Sequence, residues 1–405
     1  MKTILIGWEL GANRGHAVKL GAIAARLRAR GCGIVFAVQR PDALRAVRAE
    51  AERSVILQAP VWPGLLNTGG FRPLPGHVSY GDLVADMGMR DSGVVEYMIR
   101  AWDSLLALEK PAAIVAEFAP ALLMAARGRV RTVATGTGFT VPPSTLDHFP
   151  LLDERFRKPG YGEDTLLKIV NRAAERTGRA GYDRLPQIAA ADAAMPAVFR
   201  ELDPYAEVRA ESQIAPFLGS PPAVREAPGE EIFVYLGEVT PPDSPLIGAI
   251  GALARQGHRV CAYLPLLDPE KQAELTAAGA QLSPEPVPFA DIARRSRIAV
   301  TNGGLGLASS ALASGLPLAV LPTDLEKILN GRALERAGTG RSIAIKDAGR
   351  PKTADEIAGA IADAAGDAAL ARRAAELAPE FRKRLERNPA DAVAETVMEL
   401  AQSGK

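Results

Sequence analysis

Residues 297–340 read RIAVTNGGLGLASSALASGLPLAVLPTDLEKILNGRALERAGTG, and this stretch decides the fold. It begins with a short apolar run, continues through a glycine turn at 301–306, and resumes as a small-residue helix that ends before Gly315. Pro317 prevents the helix from restarting, and a second apolar run follows at once. A strand, a turn, a helix and a second strand form one βαβ unit, which predicts a parallel sheet.

The glycine turn lies between the end of a predicted strand and the start of a predicted helix. Backbone N–H groups at a helix start lack helical acceptors, and the helix dipole is positive there. Glycine also lets a ligand approach the backbone closely, so the turn is a candidate phosphate site. A tight turn that binds nothing is the alternative that this pattern alone leaves open.

Composition and charge limit the classes of function. The chain has 405 residues, which predicts two domains. Its formal net charge of +1 gives no global field that would favour nucleic acid. Two cysteines are too few for a disulfide framework or a zinc site. The sequence has neither a signal-peptide pattern nor an apolar run long enough to span a membrane, so we expect a cytoplasmic protein.

The same strand–helix–strand pattern occurs in both halves of the chain. The first half opens with the apolar run TILIG at 3–7, and the second restarts after the Pro- and Gly-rich stretch GSPPAVREAPGEE at 219–231. We expect an α/β protein with two Rossmann-like parallel-sheet domains that face each other across a cleft. The predicted parts are an N-terminal domain at 1–218, a linker at 219–231, a C-terminal domain at 232–380, and C-terminal helices at 381–405 that pack back on the N-terminal domain.

Three segments resemble GT-B-fold nucleotide-sugar glycosyltransferases of the UDP-glycosyltransferase and macrolide type. Gly15-His16 and the following RLRARGCGIVFAV at 26–38 resemble the opening of these enzymes, FVYLG at 233–237 the start of their donor domain, and 300–340 their donor motif. The resemblance implies a metal-independent sugar transferase without a cofactor, in which the N-terminal domain at 1–218 binds the acceptor and the C-terminal domain at 232–380 binds the nucleotide-sugar donor. Its co-substrate would be a UDP- or dTDP-linked sugar, and its other ligand a small-molecule acceptor.

The resemblance also implies the catalytic residues. Inverting sugar transfer needs a base for the proton of the acceptor hydroxyl, and a histidine held by a carboxylate suits that task. His16 matches the family's base. Glu117, in the strand IVAEF, stands where the family has an aspartate, and its extra methylene requires His16 to sit correspondingly farther back. A helix-start histidine bonded to backbone and an ordinary strand-end acid remain the alternatives.

On the donor side the chain departs from the family's pattern. Asn302 stands where the family has a histidine, Ser310 where it has a glutamate, and Lys327 where it has an amide. Glu326 keeps the family's acid, and residues 286–288 occupy the place of an aromatic residue that stacks on the nucleotide base. The donor would therefore differ, for example by carrying a charged sugar that faces Lys327, or donor binding would be lost. The predicted donor set is Gly237, Asn302, Gly303, Gly304, Ser310, Glu326, Lys327 and Asn330, and no metal ligand is predicted.

Residues 59–93 form an irregular insertion rich in aromatic residues and methionine. Such a segment suits either an apolar ligand pocket or a loop that folds over the core. With one later residue, the predicted acceptor pocket consists of Trp62, Phe71, His77, Tyr80, Met87 and Phe139.

Three functions remain open at this stage. The first is an inverting transferase that acts on an apolar small molecule. The second is the same reaction on a lipid-linked or polysaccharide acceptor at the inner membrane face, for which the basic stretch 155–176 would supply peripheral contact. The third is a non-catalytic relative that binds a ligand or supports a partner enzyme. We expect a monomer or a homodimer that does not bind nucleic acid.

Overall fold

The computed structural model describes residues 1–11, 14–67, 77–219, 222, 224–237, 244–347 and 349–403. The chain divides into two compact units. The first comprises Met1–Phe217 and Arg387–Lys405, and the second comprises Leu218–Glu386. The functional limits of the domains stay a prediction.

The described part of the first unit contains a parallel sheet of six strands, in the order β3-β2-β1-β4-β5-β6. The chain winds outward from β1 to β3 and then returns to the other side of β1, so the winding reverses between β1 and β4. Ligands of such sheets bind at the carboxyl ends of the strands, where the winding reverses. The strands are β1 (Thr3–Trp8), β2 (Gly33–Val38), β3 (Val55–Gln58), β4 (Ala113–Glu117), β5 (Arg131–Gly136) and β6 (Ala193–Pro196).

Helices cover this sheet, and the C-terminal helix belongs to the same unit. The helices are α1 (Arg14–Ala29), α2 (Arg48–Ala51), α3 (Pro63–Asn67), α4 (Tyr80–Val84), α5 (Ser92–Glu109), α6 (Pro120–Ala126), α7 (Glu163–Arg176) and, from the end of the chain, Pro389–Ser403. The last helix buries Ala390, Val393, Ala394 and Val397 in the core formed by β1, β2, β4 and α1. This apolar stripe at helical spacing explains why the end of the chain packs on the first unit.

The second unit repeats the winding, with β7 to β12 in the order β12-β11-β10-β7-β8-β9 over its described residues. Its strands are β7 (Glu231–Tyr235), β8 (Val260–Tyr263), β9 (Gln281–Leu282), β10 (Ser296–Thr301), β11 (Leu318–Val320) and β12 (Gly340–Ser342), followed by an antiparallel pair, β13 (Lys346–Asp347) and β14 (Arg350–Pro351). Its helices are α8 (Pro245–Arg255), α9 (Pro269–Ala277), α10 (Phe289–Arg295), α11 (Leu305–Ser314), α12 (Leu325–Ala337), α13 (Ala354–Gly366) and α14 (Ala368–Lys383), so that Pro389–Ser403 is α15.

The predicted fold class, α/β with two parallel sheets, is confirmed. Helix α1 begins at Arg14, so His16 lies in its first turn. One local prediction changes. The insertion at 59–93 was expected to be irregular, but it contains the short helices α3 and α4. Side chain Ser79 caps α4 by accepting a hydrogen bond from the amide of Asp82.

Candidate active site

His16 and Glu117 meet at the carboxyl ends of the two central strands of the first sheet. Trp8, the last residue of β1, is in register with Glu117, the last residue of β4. Helix α1 follows β1 and brings His16 back over this edge, where the winding of the sheet reverses. The two side chains therefore occupy the position at which sheets of this kind bind their ligands.

The imidazole is held on one edge and on one face. Nδ1 of His16 lies 2.8 Å from Oε2 of Glu117, whose side chain is 0% exposed, while that of His16 is 13% exposed. The ring stacks on the indole of Trp8, with 5.0 Å between centroids and 20° between planes. Because Nδ1 faces the carboxylate, Nε2 is the nitrogen available to a substrate.

Lys19 is a third member of this cluster, which the sequence reasoning missed. Its Nζ donates a hydrogen bond to Oε1 of Glu117 over 2.9 Å, and its side chain is 9% exposed. Burial by itself raises the pKa of Glu117, but the charges of His16 and Lys19 and their hydrogen bonds outweigh it, so the pKa falls to about 2. The signal in the sequence was a lysine three residues after the histidine, on the same helix face.

Gly11 lies against the free edge of the imidazole. Its φ is +84°, and a Cβ at this position would lie 2.4 Å from Nε2 of His16. The side chain of Gln39 donates a hydrogen bond to the carbonyl of Gly11, and the amide of Leu10 donates one to the carbonyl of Phe118 over 3.1 Å. These contacts fix a backbone that only glycine adopts without strain, and they keep side-chain atoms away from Nε2.

Phe118, directly after Glu117, has an unusual backbone. Its φ is +45°, a left-handed conformation that costs a non-glycine residue about 1–2 kcal/mol. Its ring packs 6.2 Å from that of Tyr80 and 6.5 Å from that of Phe139. The strain is offset by this packing and by the hydrogen bond from Leu10, and it lies at the end of the strand that carries Glu117.

Glu9 is a buried acid between the strand β1 and Gly11. Its carboxylate accepts hydrogen bonds from Nε1 of Trp62 over 2.8 Å and from the amides of Ala121 and Leu122 over 3.1 and 2.6 Å. Burial raises its pKa from 4.5 to about 7 even though these hydrogen bonds lower it. Glu9 therefore joins β1, α6 and the 59–93 insertion beneath the His16 site.

We expect Glu9 to lower the stability of the fold above neutral pH. An acid whose pKa is raised on folding adds stability that is fully present below its unfolded pKa of about 4.5 and is lost as the pH rises through about 7. The unfolding free energy of the unsubstituted chain should therefore fall between pH 5 and pH 8, relative to that of Glu9→Gln, by roughly 2–3 kcal/mol. Urea denaturation of both chains at the two pH values measures this. Parallel pH dependences would contradict the burial effect.

The predicted acceptor residues are buried within the first unit. Tyr80 packs 6.4 Å from Phe139 and 5.1 Å from Phe149, measured between ring centroids. Burial, with the charges of Glu9 and Glu117, raises the pKa of the Tyr80 hydroxyl. Trp62, Met87 and His77 are buried as well, while Phe71 lies outside the described residues. The structure thus places Tyr80 and Phe139 beside Phe118, and the acceptor pocket itself stays a prediction.

His77 belongs to a separate polar cluster. Its Nε2 contacts the carboxylate of Asp86, which also accepts a hydrogen bond from the hydroxyl of Tyr161 over 2.6 Å. Burial lowers the pKa of His77, although the charges of Asp86 and Asp82 raise it. Because Asp86 contacts its Nε2, His77 belongs to this polar cluster and not to the His16 site.

In the second unit the glycine turn lies between β10 and α11, as predicted. Gly303 has a φ of +92°, and a Cβ there would lie 2.6 Å from Cγ1 of Val320. Gly304 precedes α11, and a Cβ there would meet no atom within 4 Å. Two hydrogen bonds hold the turn in place. Nδ2 of Asn330 donates one to the carbonyl of Gly303 over 2.9 Å. Nδ2 of Asn302 donates the other to the carbonyl of Leu321 over 3.2 Å.

The remaining predicted donor residues lie in α11, in α12 and after β7. Oγ of Ser310 donates a hydrogen bond to the carbonyl of Gly306 within α11, over 2.9 Å. Glu326 is half-buried in the first turn of α12, and Gly237 follows the end of β7, which is the neighbour of β10. Gly237 and Gly303 thus follow the two strands between which the second sheet reverses its winding.

Lys327 is paired within the protein, which the sequence did not indicate. Its Nζ lies 2.7 Å from Oδ2 of Asp324 and donates a hydrogen bond to Oγ1 of Thr323 over 2.9 Å. Burial lowers the pKa of Lys327 to about 7; burial and the charge of Glu326 raise that of Asp324 to about 7. Asp324 and Thr323 both contact this amine, so a charged sugar would have to compete with them for it.

No group of three or more His, Cys, Asp or Glu side chains is placed to hold a metal ion within the described ranges. None of the helices described here is long and apolar enough to cross a membrane.

The whole chain is similar to solved structures of natural-product glycosyltransferases. The glycosyltransferase of kitacinnamycin is 18% identical with a TM-score of 0.67, over 99% of each chain. CalG4, the calicheamicin glycosyltransferase, is 17% identical with a TM-score of 0.68, over 100% of each chain. The spinosyn rhamnosyltransferase SpnG is 18% identical with a TM-score of 0.66, over 98% of this chain and 100% of that one. The chain has the GT-B fold.

The GT-B resemblance predicted from three sequence segments is thereby confirmed at the level of the fold. No protein-family model and no curated protein matches the sequence. Because identity to the solved structures is below 20%, their likeness speaks for the fold alone. What the GT-B chain does has to be argued from its own side chains.

Proposed function

We propose that the chain is an inverting glycosyltransferase, which moves a sugar from a nucleoside-diphosphate donor to a hydroxyl of an apolar small-molecule acceptor. The observation that carries this proposal is the contact between His16 and Glu117 at the winding reversal of a GT-B fold. Solved GT-B neighbours include SpnG with thymidine diphosphate or with spinosyn aglycone, and VinC with dTDP. These complexes support a nucleotide donor and a small-molecule acceptor for this chain.

The proposed chemistry begins at Nε2 of His16. This nitrogen takes the proton of the acceptor hydroxyl while the oxygen attacks the anomeric carbon, and the bond from that carbon to the diphosphate breaks. The attack comes from the side opposite the leaving group, so the anomeric configuration inverts. The imidazolium that forms is stabilised by the Glu117 carboxylate at Nδ1, which also fixes the orientation of the ring.

The leaving diphosphate is assigned to the glycine turn before α11. The first N–H groups of this ten-residue helix have no helical acceptors, and the helix dipole adds a positive potential. Asn302 and Asn330 each hold the turn through one N–H of Nδ2, so a contact of these residues with the donor would use the second N–H or the Oδ1 atom. This assignment needs no metal to balance the diphosphate, because backbone N–H groups at a helix start bind phosphate directly.

Nucleotide binding to the glycine turn is tested by Gly304→Ala. The added methyl meets no protein atom within 4 Å, so the fold should keep its stability, whereas a bound diphosphate would be displaced. We expect the Kd for dTDP or UDP, measured by calorimetry, to rise at least about tenfold, a loss of about 1.4 kcal/mol. Gly359→Ala, in α13, is the matched control, because its methyl also meets no atom within 4 Å. Equal affinities in the two variants would move the diphosphate away from this turn.

The two other functions gain less support. Among the basic residues of 155–176, Arg155 pairs with Asp153 over 2.6 Å and Arg176 with Glu96 over 3.4 Å, so part of that charge is already balanced within the protein. A non-catalytic role would not require a buried carboxylate at Nδ1 of a partly exposed histidine. We therefore propose a catalytic role with a small-molecule acceptor.

A further inference from the structure

The buried carboxylate of Glu117 has a different nitrogen at each oxygen. Oε2 faces Nδ1 of His16 over 2.8 Å, and Oε1 accepts a hydrogen bond from Nζ of Lys19 over 2.9 Å. Both partners come from α1, three residues apart. Burying an ammonium costs free energy that an apolar side chain of similar length would not. The Lys19 contact therefore calls for a role beyond packing.

Two consequences follow from the second contact. The carboxylate is anchored at both oxygens, so it cannot rotate away from the imidazole. Its charge is also balanced by an ammonium, whereas a buried carboxylate with no other cation nearby favours a protonated imidazole as its counter-charge. With Lys19 in place, the carboxylate has a cationic partner other than the imidazole.

Other groups around this carboxylate do not supply the same balance. Among the described residues, the side-chain hydrogen bonds to Glu117 come from His16 and Lys19 alone. Glu9, after β1, and Tyr80, on α4, are further titratable groups in the described part of this unit, and the charges of Glu9 and Glu117 act on the Tyr80 hydroxyl. An acid and a phenol add no positive charge, so among the side chains that the structure describes Lys19 is the ammonium that offsets Glu117.

We propose that Lys19 is a positioning residue for the base. It holds one oxygen of Glu117 and balances the carboxylate's charge, so that the other oxygen orients His16 with Nε2 ready to accept a proton. This inference rests on the proposed role of His16 as general base. Lys19 itself touches neither substrate nor the reacting atoms; it acts through Glu117.

The test is an NMR titration of the histidine rings in the full chain, which has four histidines. His16→Gln identifies the resonance of His16 by its loss. In Lys19→Met the midpoint of the His16 titration should move up by about one pH unit, because an ammonium near the imidazole has been replaced by an apolar group. Lys19→Arg keeps the charge and should keep the midpoint close to that of the unsubstituted chain.

Lys19→Gln separates charge from hydrogen bonding and serves if Lys19→Met does not fold, since its amide still donates to Oε1. It should show the same upward move. An unmoved midpoint in folded Lys19→Gln or Lys19→Met would overturn the inference, as would a move in Lys19→Arg equal to that in Lys19→Met. The titration needs no substrate. A chain that shows the predicted moves but transfers no sugar would contradict the proposed function and leave the positioning role intact.

Discussion

His16→Ala is expected to lower turnover about 1000-fold while leaving the affinity for nucleoside diphosphate unchanged. General-base catalysis contributes on the order of 10²–10⁴ to a rate, and Nε2 of His16 is the atom assigned to it. The nucleotide is assigned to the glycine turn before α11, which His16 does not help to build. Turnover with a saturating donor, together with calorimetry with dTDP or UDP, measures the two effects separately.

His258→Ala is the control for this substitution. His258 lies in the turn between α8 and β8 of the second unit, and its backbone amide bonds to the carbonyl of Leu253. His258 is half-buried in this turn and has no part in the proposed chemistry, so its loss should change turnover less than about twofold. Turnover in His16→Ala equal to that in His258→Ala would remove the histidine from the mechanism.

The second large effect is expected at Gly11. Gly11→Ala should lower turnover at least about 100-fold, because the new methyl would lie 2.4 Å from Nε2 of His16 and would push the ring from its place on Trp8. A shift of catalytic atoms by about 1 Å is enough for a loss of that size. Turnover and a thermal unfolding curve of the same variant distinguish a displaced base from a damaged fold.

Gly31→Ala provides a closely matched comparison. Gly31 follows α1 with a φ of +80°, near the +84° of Gly11, but a Cβ there meets no atom within 4 Å. Both substitutions carry the cost of a left-handed alanine, about 1–2 kcal/mol, and only Gly11→Ala touches the imidazole. Similar turnover in the two variants would mean that backbone strain, rather than access to Nε2, explains any loss.

The parts of the site that lie within short stretches of chain could be predicted from the sequence. The glycine turn is bounded by a strand and a helix that follow one another, so its place before α11 was readable from residues 297–340. The place of Glu117 at the site could be predicted because it ends an apolar strand, and parallel strands bring their carboxyl ends to one edge of a sheet. The plan of two α/β domains followed from the repetition of this pattern in both halves, and the GT-B fold from the resemblance of three segments to known enzymes.

Contacts through space could not be predicted in the same way. The sequence alone predicts that Lys19 is an exposed helix residue, whereas the fold places it against Glu117 at the end of β4. The close approach of Gly11 to His16 arises because α1 brings the imidazole back over the loop that contains Gly11. Asp324 was overlooked as the partner of Lys327, because an N-cap aspartate is common for reasons of helix capping alone. The helices α3 and α4 have five residues each, too few to show a helical period.

The departures in the donor motif gain a physical meaning from these contacts. Lys327 contacts Asp324 and Thr323. Asn302 donates one of its two side-chain N–H groups to the carbonyl of Leu321. These side chains build the turn and the start of α12. Under the proposed assignment, the backbone of the turn would be the main partner of the diphosphate, because the residues that replace the family's charged ligands are used within the protein.

The most direct test of sugar transfer with His16 as base is mass spectrometry of reactions that combine dTDP- and UDP-linked hexoses with a panel of hydroxylated apolar acceptors. We expect at least one combination to give a product heavier by one sugar, together with released nucleoside diphosphate. We expect this product to be lost in His16→Ala. An unchanged yield of product in His16→Ala, or a chain that binds no nucleoside diphosphate at all, would contradict this mechanism.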